Sequence, residues 1–479
     1  MQIFLQGKLL GIDEFLLAPA GAGHDQAFTG RSHWASLLSE ILPRALLGEL
    51  GLAKILLGSS GGGQFLVVLP EESRAGADAF LRSAAQEIGS LSGNMVKLVW
   101  SSTENLGDWS DVRRRLHEQM SLLRGTPAAG FADEAPLAGA GEYFAHQLGW
   151  KLRDAQEVGW SPETPGRILM GAGKHRWSLA GTTESIPFAR HAAPNEDGSE
   201  PASTGELAAR AAGLNTWGVL RGDVDNFGIR IRRAQTIEEH IRLSVMYKQF
   251  FAGELEVLCS MPEFWRKVTV IYSGGDDFAV YGAWDALLGL AREMERLFRR
   301  FVETNLTEFA GPEAKTITMA LSLAPAEDAS VAAVFEEAGR RLEAAKSSDK
   351  DCVWLLGRTL EWKQFAEAAG LRDQLLRMVA DFGCSPQYLR DLCGIYRESQ
   401  SRMSKRQARK SGGERPWRYH RRIRRILSAS REGSRRGGGD YQKARTALIA
   451  ELIGRSAITV KLRPAGRVAL EWARLSAEA

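Results

Sequence analysis

Tyr272-Ser-Gly-Gly-Asp-Asp-Phe-Ala-Val280 decides the fold, because it sets two adjacent carboxylates between two runs of β-forming residues. The runs at 268–273 and 278–282 predict two strands, so Gly-Gly-Asp-Asp is predicted to form the tip of a hairpin. Paired glycines let the backbone approach a bulky ligand, and aspartates at a strand end supply the hard oxygens that Mg²⁺ prefers. Since Gly and Asp are also ordinary turn residues, these four residues alone leave a turn without function open.

A second motif, Trp217-Gly-Val-Leu-Arg-Gly-Asp-Val-Asp225, favours a metal-binding hairpin over a turn without function, because its apolar run stops at Asp223. In a nucleotidyl-transfer palm this strand lies beside the hairpin and brings a third carboxylate to the same metal cluster. Two metal ions about 4 Å apart can activate an attacking hydroxyl and neutralise a triphosphate, and they need carboxylates from several strands. The predicted catalytic and metal-binding side chains are Asp223, Asp276 and Asp277.

Length and composition narrow the class of protein. A chain of 479 residues with 44% hydrophobic content is expected to form two to four domains. No apolar run reaches the 18 or more residues of a membrane span, and Lys8, Asp13 and Glu14 interrupt the apolar N-terminus, so neither a membrane protein nor a signal peptide is predicted. The expected location is the cytoplasm.

The four cysteines are far apart and form no Cys-x-x-Cys pair. This spacing predicts neither a zinc ribbon nor a disulfide framework. We expect four buried thiols: Cys259, Cys352, Cys384 and Cys393.

The order of predicted elements occurs twice. Residues 1–125 predict strand, helix, strand, strand, helix and strand, and residues 214–356 predict the same order. This βαββαβ order is that of a ferredoxin-like domain, on which palms are built. The fold class is therefore predicted as α+β, with two tandem ferredoxin-like palms, an irregular linker at 126–213 and a helical, basic C-terminal domain at 357–479.

Several boundaries within this scheme are specific expectations. The first repeat is predicted to contain a strand at 2–5, a helix at 32–50 and a hairpin whose strands are 54–57 and 65–69. The linker is predicted to be helical at 144–156 and irregular at 162–201. In the second repeat, Thr236 and Glu239 predict a capping box that opens a helix.

The two repeats can also be aligned residue by residue. Leu5-Gln-Gly-Lys8 aligns with Leu220-Arg-Gly-Asp223, and Ser60-Gly-Gly-Gly-Gln-Phe65 aligns with Ser273-Gly-Gly-Asp-Asp-Phe278. In the first copy Lys8, Gly63 and Gln64 replace the three aspartates, so that palm is predicted to hold no metal. Its glycines still allow close backbone approach, and Lys8 suits a phosphate, so we expect nucleotide contact at the residues Ser60, Gly61 and Gly62.

One segment is strongly basic. Between Arg402 and Arg436 there are fourteen Lys or Arg against the two acids Glu414 and Glu432, whereas the whole chain has a net charge of +4. Basic side chains beside Trp417, Tyr419 and His420 favour contact with single-stranded nucleic acid, although a solvated helix or an arm that docks on an acidic subunit stays open. The predicted contact residues are Lys405, Arg406, Arg409, Lys410, Arg418, Arg421, Arg422, Arg424 and Arg425.

Tandem palms, of which the second has Ser-Gly-Gly-Asp-Asp and an upstream Asp-Val-Asp-Asn-x-Gly, together resemble the large subunit of type III CRISPR effector complexes. Smaller signatures that look like those of this family are Gly11-Ile-Asp-Glu-Phe15, Gly30-Arg-Ser32, Leu152-Arg-Asp-Ala155 and Ala344-Ala-Lys346. The C-terminal Val468-Ala-Leu-Glu-Trp472 looks like the ending of the Csm-type branch, as in type III-A complexes.

The resemblance implies an activity. The family binds two ATP molecules between its palms and, once the complex captures target RNA, joins them into cyclic oligoadenylate messengers. Carried over to this chain, the three aspartates and the Val224 carbonyl would hold two Mg²⁺ or Mn²⁺ ions. The implied nucleotide contacts are Ser273 with an adenine, Gly274, Gly275 and Asp225 around the nucleotide, and Lys346 and Lys350 with triphosphate. The implied partners are crRNA, target RNA, a Cas5-like cap subunit, small helical subunits and backbone subunits.

Two departures from the family pattern are visible. Many members begin with a His-Asp (HD) nuclease domain, whereas this chain begins at the first palm, so no DNase activity is expected. Many members also carry a zinc-binding cysteine cluster between the palms, whereas the linker here has no cysteine, so no zinc is expected.

Two alternatives stay open. A GGDEF-type cyclic dinucleotide cyclase shares the palm, but Asp277 replaces its usual Glu, and such enzymes pair two copies of one palm; GTP turnover by the isolated protein would favour it. A non-catalytic scaffold that binds RNA and neighbouring subunits would need no cluster of like charges, which repel one another. A complex that acts on target transcripts without binding ATP would favour the scaffold.

Overall fold

A computed structural model describes residues 1–18, 24–124, 141–179, 185–326, 328–406, 417–428, 431–453 and 463–478. Their contacts divide the chain into two compact units. The first comprises Met1–Arg210, Thr216–Ile317 and Leu323–Arg340, and the second comprises Ala211–Asn215, Thr318–Ser322 and Arg341–Ala479.

The N-terminal part of the first unit forms a four-stranded antiparallel sheet in the order β2-β3-β1-β4. Its elements are β1 (Gln2–Leu10), α1 (Ile12–Leu17), α2 (His24–Glu49), β2 (Leu57–Gly61), β3 (Gln64–Pro70), α3 (Arg74–Leu91), β4 (Lys97–Glu104) and α4 (Trp109–Arg124). The βαββαβ order predicted from the sequence is present, with an additional short helix after the first strand.

Three predicted boundaries in this part were wrong. Strand β1 extends to Leu10, and α2 begins at His24 rather than at residue 32 and continues through Pro43. The second strand begins at Leu57 and includes Ser59 to Gly61, where Ser and Gly had predicted a turn. Pairing with β3 overrides the weak strand propensity of these small residues, because strand preference depends strongly on tertiary context.

The region between the repeats is more regular than predicted. A π-helical turn, Tyr143–Leu148, and a 3₁₀ turn, Lys151–Asp154, replace the predicted helix at 144–156. A small sheet in the order β6-β5-β7 follows, and its elements are β5 (Glu157–Trp160), β6 (Leu169–Met170) and β7 (His175–Ser178), before helix α5 (Thr204–Ala209). Phe144, Leu148 and Trp160 are buried in the same core as Trp34 of α2, so packing orders this segment despite its Gly and Pro content.

The second repeat begins with the strand that carries Asp223. Its elements are β8 (Trp217–Val224), α6 (Phe227–Arg233), α7 (Ile237–Cys259), β9 (Val268–Ser273), β10 (Asp277–Ala283), α8 (Trp284–Asn305), β11 (Ile317–Leu323), α9 (Val331–Ser348), β12 (Cys352–Leu355) and β13 (Arg358–Glu361). Strand β10 lies between β8 and β9 and is antiparallel to both. Asp225 and Ala324 donate backbone hydrogen bonds to Thr316 and Trp217, so the chain on either side of β11 is bonded to the two ends of β8.

The predicted capping box at the start of α7 is half present. The Thr236 hydroxyl accepts a hydrogen bond from the Glu239 N–H at 3.1 Å. The Glu239 carboxylate accepts from the Gln235 N–H at 2.8 Å, one residue before the predicted partner.

The second unit contains strands and a helical domain. Within it, β12 pairs in parallel with β11 and antiparallel with β13. The helices are α10 (Trp362–Ala380), α11 (Gln387–Arg406), α12 (Trp417–Ser428), α13 (Arg431–Ile453) and α14 (Pro464–Ala477). Phe365 of α10 stacks on Trp472 of α14 with ring centroids 5.7 Å apart, and Tyr396 donates to the Leu452 carbonyl at 3.1 Å, which joins α11 to α13.

The structure bears on two expectations drawn from composition, one about the cysteines and one about membrane spans. All four cysteines are buried free thiols, as predicted. In the part of the chain that the structure describes, no helix is both long and apolar enough to cross a membrane.

Candidate active site

The three predicted aspartates lie at one end of the β8–β10 pair. Asp277 is the direct partner of Asp223 across the two strands, which places their Cα atoms about 5 Å apart. Asp276 is at the hairpin tip, and its carbonyl accepts a hydrogen bond from the Val224 N–H at 2.9 Å. Pairing between two strands thus brings Asp223 next to Asp277, which is distant from it in sequence.

Glycines make this arrangement possible. A Cβ at Gly222 would overlap the ring of Phe278, its partner on β10, so only glycine allows the two strands to pair with the ring in place. A Cβ at Gly274 would overlap the carboxylate of Asp277, and the Gly274 N–H donates to the Asp277 carbonyl at 2.7 Å to close the tip. Gly275 borders open space, because no atom lies within 4 Å of where its Cβ would be.

The Asp277 carboxylate is held by a neighbouring tyrosine. Arg221 of β8 and Tyr272 of β9 are the partners of Ala279 of β10 from either side, so the small Ala279 separates two long polar side chains. Tyr272 donates its hydroxyl proton to Oδ2 of Asp277 at 2.9 Å, and Arg221 donates to the Tyr272 oxygen at 3.4 Å. The Arg221 guanidinium lies 4.1 Å from the centre of the Phe335 ring.

Electrostatics agree with this chain of contacts. Burial and the adjacent Asp277 charge raise the pKa of Tyr272 well above its usual value, so the phenol stays protonated and donates. Burial alone would lower the pKa of Arg221, but Tyr272 and Asp277 outweigh it and raise that pKa above its usual value. Arg221 therefore stays cationic beside the site.

The described residues contain no group of three or more His, Cys, Asp or Glu side chains arranged to hold one metal ion. Mg²⁺ is commonly bound by one or two carboxylates, with substrate phosphates and water completing its octahedron. The Asp223–Asp277 pair fits this partial shell. Ser273 is the cross-strand partner of Phe278, and its buried Oγ has no hydrogen-bond partner among the described residues.

Asp225, predicted to contact the nucleotide, is only 1% exposed. Its carboxylate accepts from the Thr316 hydroxyl at 2.8 Å, and its carbonyl accepts from the Ala314 N–H at 2.8 Å. These bonds tie the end of β8 to the chain before β11. This environment favours a structural role for Asp225.

The first hairpin repeats the pairing of the second without its carboxylates. Gly7 pairs with Phe65 and Lys8 pairs with Gln64, which correspond to Gly222 with Phe278 and Asp223 with Asp277. A Cβ at Gly7 would overlap the Phe65 ring, as one at Gly222 would overlap Phe278. The register therefore agrees with the alignment of the two repeats at these positions.

The predicted nucleotide contact Ser60 is engaged by protein groups. Its hydroxyl donates to Glu40 at 2.8 Å, and Lys248 of α7 donates to Glu40 at 3.0 Å and to the Ser60 carbonyl at 3.1 Å. Glu40 and Lys248 are 3% and 9% exposed. Burial alone would raise the pKa of Glu40, but Lys248, Arg44 and Ser60 together hold it below its usual value.

The glycines beside Ser60 differ from each other. A Cβ at Gly61 would lie 2.9 Å from Glu40 Oε1, whereas nothing lies within 4 Å of one at Gly62, and both residues have positive φ. Gly62 is thus the predicted contact of this hairpin that borders open space.

Sequence reasoning missed four residues that hold the two hairpins in place: Arg221, Tyr272, Glu40 and Lys248. A signal exists for two of them. Arg221 interrupts the apolar strand β8, and Lys248 lies beside Tyr247, Phe250 and Phe251 on the buried side of α7. A charge among buried apolar residues requires a partner, because an unpaired buried charge is costly.

The remaining predicted contact residues lie in the second unit. Lys346 is partly buried in the last turn of α9, and Lys350 is exposed just after it. Arg421, Arg424 and Arg425 are exposed on α12, Arg422 is partly buried, and the same helix buries Ile423 and Leu427. Arg409 and Lys410 lie outside the described residues, as do the side chains of Lys405, Arg406 and Arg418.

Sequence comparisons with known proteins match one family over part of this chain. The domain family described as Cas10/Cmr2, second palm domain, matches residues 216–354. A subtype III-A CRISPR single-strand-specific deoxyribonuclease, Cas10/Csm1 of Enterococcus italicus, is 29% identical over 163 residues, which cover 33% of this chain and 20% of the relative. Cas10/Csm1 of Mycobacterium tuberculosis is 32% identical over 126 residues, which cover 22% of this chain and 16% of the relative. The aligned segments thus span a fifth or less of these curated relatives.

Solved structures resemble the fold along most of the chain. A Csm1–Csm4 cassette in complex with cA3 has a TM-score of 0.71 and 16% identity, over 99% of this chain and 69% of the solved one. Csm1 in T. onnurineus has a TM-score of 0.70 and 16% identity, over 100% of this chain and 70% of the solved one. A Csm1–Csm4 cassette in complex with AMPPNP has a TM-score of 0.65 and 17% identity, over 82% of this chain and 62% of the solved one.

Proposed function

The chain is Csm1-like and has a Cas10/Cmr2 second palm domain, and from this premise we propose that it joins ATP into cyclic oligoadenylates within a crRNA-guided type III CRISPR complex. One observation carries the proposal most directly. The palm-domain match contains the β8–β10 pair, in which Asp223 faces Asp277 and Asp276 lies at the adjoining tip. Similar Csm1–Csm4 cassettes in complex with AMPPNP and with cA3 support an adenine nucleotide as substrate and a cyclic oligoadenylate as product.

The proposed architecture is a pair of ferredoxin-like palms. The order β2-β3-β1-β4 in the first sheet and the position of β10 between β8 and β9 support it. The equivalent glycine–phenylalanine pairs, Gly7 with Phe65 and Gly222 with Phe278, support a common origin for the two hairpins. We assign catalysis to the second palm. Both hairpins share the same pairing register, but only the second has aspartates at the paired positions.

In the second palm, Asp223, Asp277, Asp276 and the Val224 carbonyl are the proposed ligands of two Mg²⁺ or Mn²⁺ ions. Such ions lower the pKa of an attacking hydroxyl and neutralise the charge of the triphosphate. The protein's contribution is to fix the carboxylates: strand pairing aligns Asp223 with Asp277, and the absence of a side chain at Gly274 leaves room for the Asp277 carboxylate.

The proposed nucleotide contacts are residues that border open space or that have a polar group without a hydrogen-bond partner among the described residues. Ser273 offers a hydroxyl without a hydrogen-bond partner among the described residues, and Gly275 borders open space. In the first hairpin, Gly62 is the better candidate. Ser60 already donates a hydrogen bond to Glu40, and Glu40 also lies next to Gly61. Lys346 and Lys350 stay proposed contacts for triphosphate.

The proposed partners are crRNA, target RNA and the other subunits of a Csm-type complex in the cytoplasm. Solved Csm1–Csm4 cassettes support a Csm4-like neighbour. The nuclease activity in the names of the curated relatives belongs to those proteins.

The test is synthesis by the assembled complex. With ATP, Mg²⁺ and complementary target RNA, mass spectrometry is expected to detect cyclic oligoadenylates, and Asp276→Ala with Asp277→Ala is expected to abolish them. The matched control is Gln64→Ala, at the position of the first hairpin that corresponds to Asp277, and it is expected to retain synthesis. Unchanged synthesis by the double aspartate variant would overturn the proposal.

A further inference from the structure

Three side chains on one face of the second palm form a directed chain of hydrogen bonds that ends on Asp277. Arg221 and Tyr272 flank Ala279, and Asp277 lies two residues before Ala279 on the same strand and therefore on the same face. Diagonal neighbours in a sheet are within reach of aromatic and long side chains. The Tyr272 hydroxyl makes this diagonal contact with Asp277 Oδ2 at 2.9 Å.

The direction of the hydrogen bonds is fixed by chemistry. A guanidinium can only donate, so the Tyr272 oxygen accepts from Arg221, and its own proton is directed to the carboxylate. A hydrogen bond from a neutral donor to an ionised acceptor is stronger than one between neutral groups. Tyr272 thus fixes one carboxylate oxygen of Asp277 without adding a competing positive charge.

Arg221 is itself held in place. Its guanidinium lies over Phe335 of α9, and a Cβ at Gly339, one turn further along the same helix, would overlap Nη1. Asp13 of α1, from the first repeat, also acts electrostatically on Arg221. The orientation of Tyr272 therefore depends on α9 as well as on its own hairpin.

We propose that Tyr272 is a positioning residue, oriented by Arg221, that holds the Asp277 carboxylate for metal binding. This inference rests on the proposed function, because it concerns the same carboxylates. Residues that hydrogen-bond to metal ligands orient them, and their replacement typically reduces metal affinity by about 10–100-fold. Loss of the Tyr272 hydroxyl would let Asp277 rotate away from Asp223, which carries a like charge.

The experiment measures Mn²⁺ binding by the full chain through the electron paramagnetic resonance signal of free Mn²⁺, with and without AMPPNP. We expect Tyr272→Phe to weaken Mn²⁺ binding about 10–100-fold. The matched control is Tyr281→Phe, which removes another buried tyrosine hydroxyl, one that bonds to Thr269 and Thr29 instead of a proposed metal ligand, and is expected to bind Mn²⁺ like the wild type. Equal Mn²⁺ affinity of Tyr272→Phe and wild type would overturn the inference.

A second measurement separates positioning from a general loss of structure. In the assembled complex, Tyr272→Phe is expected to raise the Mn²⁺ concentration needed for half-maximal synthesis and to keep the wild-type rate at saturating Mn²⁺. Arg221→Met is expected to act through the same hydroxyl, so its effect should nearly vanish in the Tyr272→Phe background. A reduced rate that saturating Mn²⁺ does not restore, or additive effects of the two substitutions, would contradict the positioning role.

Asp277→Asn distinguishes failure of this inference from failure of the proposed function. If Asp277→Asn loses Mn²⁺ and Tyr272→Phe does not, only the positioning role fails. If Asp277→Asn binds Mn²⁺ like the wild type, the carboxylates are not the metal site, and the proposed metal chemistry and the positioning role both fail.

Discussion

The hairpins β2–β3 and β9–β10 share a pairing register but hold their polar groups in opposite ways. At the first tip, Ser60 and Gly61 contact a buried ion pair between Glu40 of α2 and Lys248 of α7. At the second tip, Asp277 is held by a neutral hydroxyl from its own hairpin, and Gly275 borders open space. The first tip is therefore fixed to its surroundings, whereas the second tip presents its acidic groups beside unfilled space.

This difference shows what each hairpin can contribute. The ion pair joins a helix of the first repeat to a helix of the second, so the first hairpin is part of the packing between them. The second hairpin has like charges close together, which repel unless a cation or positioned donors offset them. We expect substitutions next to Glu40 at the first tip to change stability, and substitutions that displace the Asp277 carboxylate at the second tip to change metal binding.

The largest expected effect is the loss of the buried ion pair. Lys248→Met would remove the more buried of the two cations that pair with Glu40 and leave Arg44 as the other, and removing one partner of a buried ion pair typically costs about 3–5 kcal/mol. The measurement is the free energy of unfolding of the full chain in urea. Because Glu40→Gln removes the buried negative charge that Lys248 offsets, we expect Glu40→Gln combined with Lys248→Met to recover part of the loss.

Lys267→Met is the matched control for this substitution. The Lys267–Asp285 pair has a similar distance, 2.8 Å, but both side chains are partly exposed. Such pairs contribute about 0–1 kcal/mol because water screens them. Equal losses from Lys248→Met and Lys267→Met would contradict the assignment of the first hairpin to the packing between the repeats.

The second prediction concerns the glycine next to Asp277. Gly274→Ala would press its methyl group into the Asp277 carboxylate and displace it, so we expect about a 10–100-fold loss of Mn²⁺ affinity with little change in the unfolding midpoint. Gly275→Ala, whose Cβ meets no atom within 4 Å, is expected to bind Mn²⁺ normally. Titration with Mn²⁺ measures both variants.

The equivalent change in the first hairpin tests whether the two hairpins have separate roles. Gly61 has a φ of 114°, and its Cβ would lie 2.9 Å from Glu40 Oε1, so Gly61→Ala is expected to lower stability. Mn²⁺ affinity should stay at the wild-type value. If Gly61→Ala weakened Mn²⁺ binding as much as Gly274→Ala, the two hairpins would not have the separate roles described above.

The sequence predicted the second hairpin well because local signals agreed there. β-forming runs on both sides of a Gly-Gly-Asp-Asp turn predicted β9 and β10 to within one residue, and the apolar run before Asp223 predicted β8. Where tertiary packing overrides local preference, prediction failed. Strand β2 contains Ser59 and Ser60, and the segment around Phe144 is ordered by burial against α2.

Contacts between distant residues were the least predictable part of the site. Glu40 and Lys248 are separated by 208 positions, and no local pattern specifies their pairing. Tyr272 was visible in the quoted motif, but its bond to Asp277 depends on the register of β9 with β10, which places Tyr272 opposite Ala279. Register follows from the folded sheet and from the bulge after Ala279, so composition and spacing could not supply it.

The third prediction uses the glycine–phenylalanine pair that both hairpins contain. Gly7→Ala and Gly222→Ala would each force a methyl group against a buried ring, and overpacking of this kind costs about 1–3 kcal/mol. We expect similar losses in the free energy of unfolding. Only Gly222→Ala should also weaken Mn²⁺ binding, because Gly222 is adjacent to Asp223. A loss of Mn²⁺ affinity in Gly7→Ala would contradict the prediction that the first repeat holds no metal ion.

The smallest expected effect comes from the aligned serines. Ser60→Ala removes a hydrogen bond to Glu40 and is expected to cost about 1 kcal/mol at neutral pH, whereas Ser273→Ala removes a hydroxyl without a hydrogen-bond partner among the described residues and should leave stability nearly unchanged.

The loss in Ser60→Ala should also depend on pH. Although burial opposes it, Lys248, Arg44 and Ser60 hold the pKa of Glu40 below its ordinary value of 4.5, so the stabilisation by ionised Glu40 is present above that pH and disappears as pH falls through the lowered pKa. Because the Ser60 bond favours the ionised carboxylate, the difference in unfolding free energy between Ser60→Ala and wild type should shrink in the same acidic range. A difference that is constant from neutral pH to well below pH 4.5 would mean that Ser60 does not interact with an ionised Glu40.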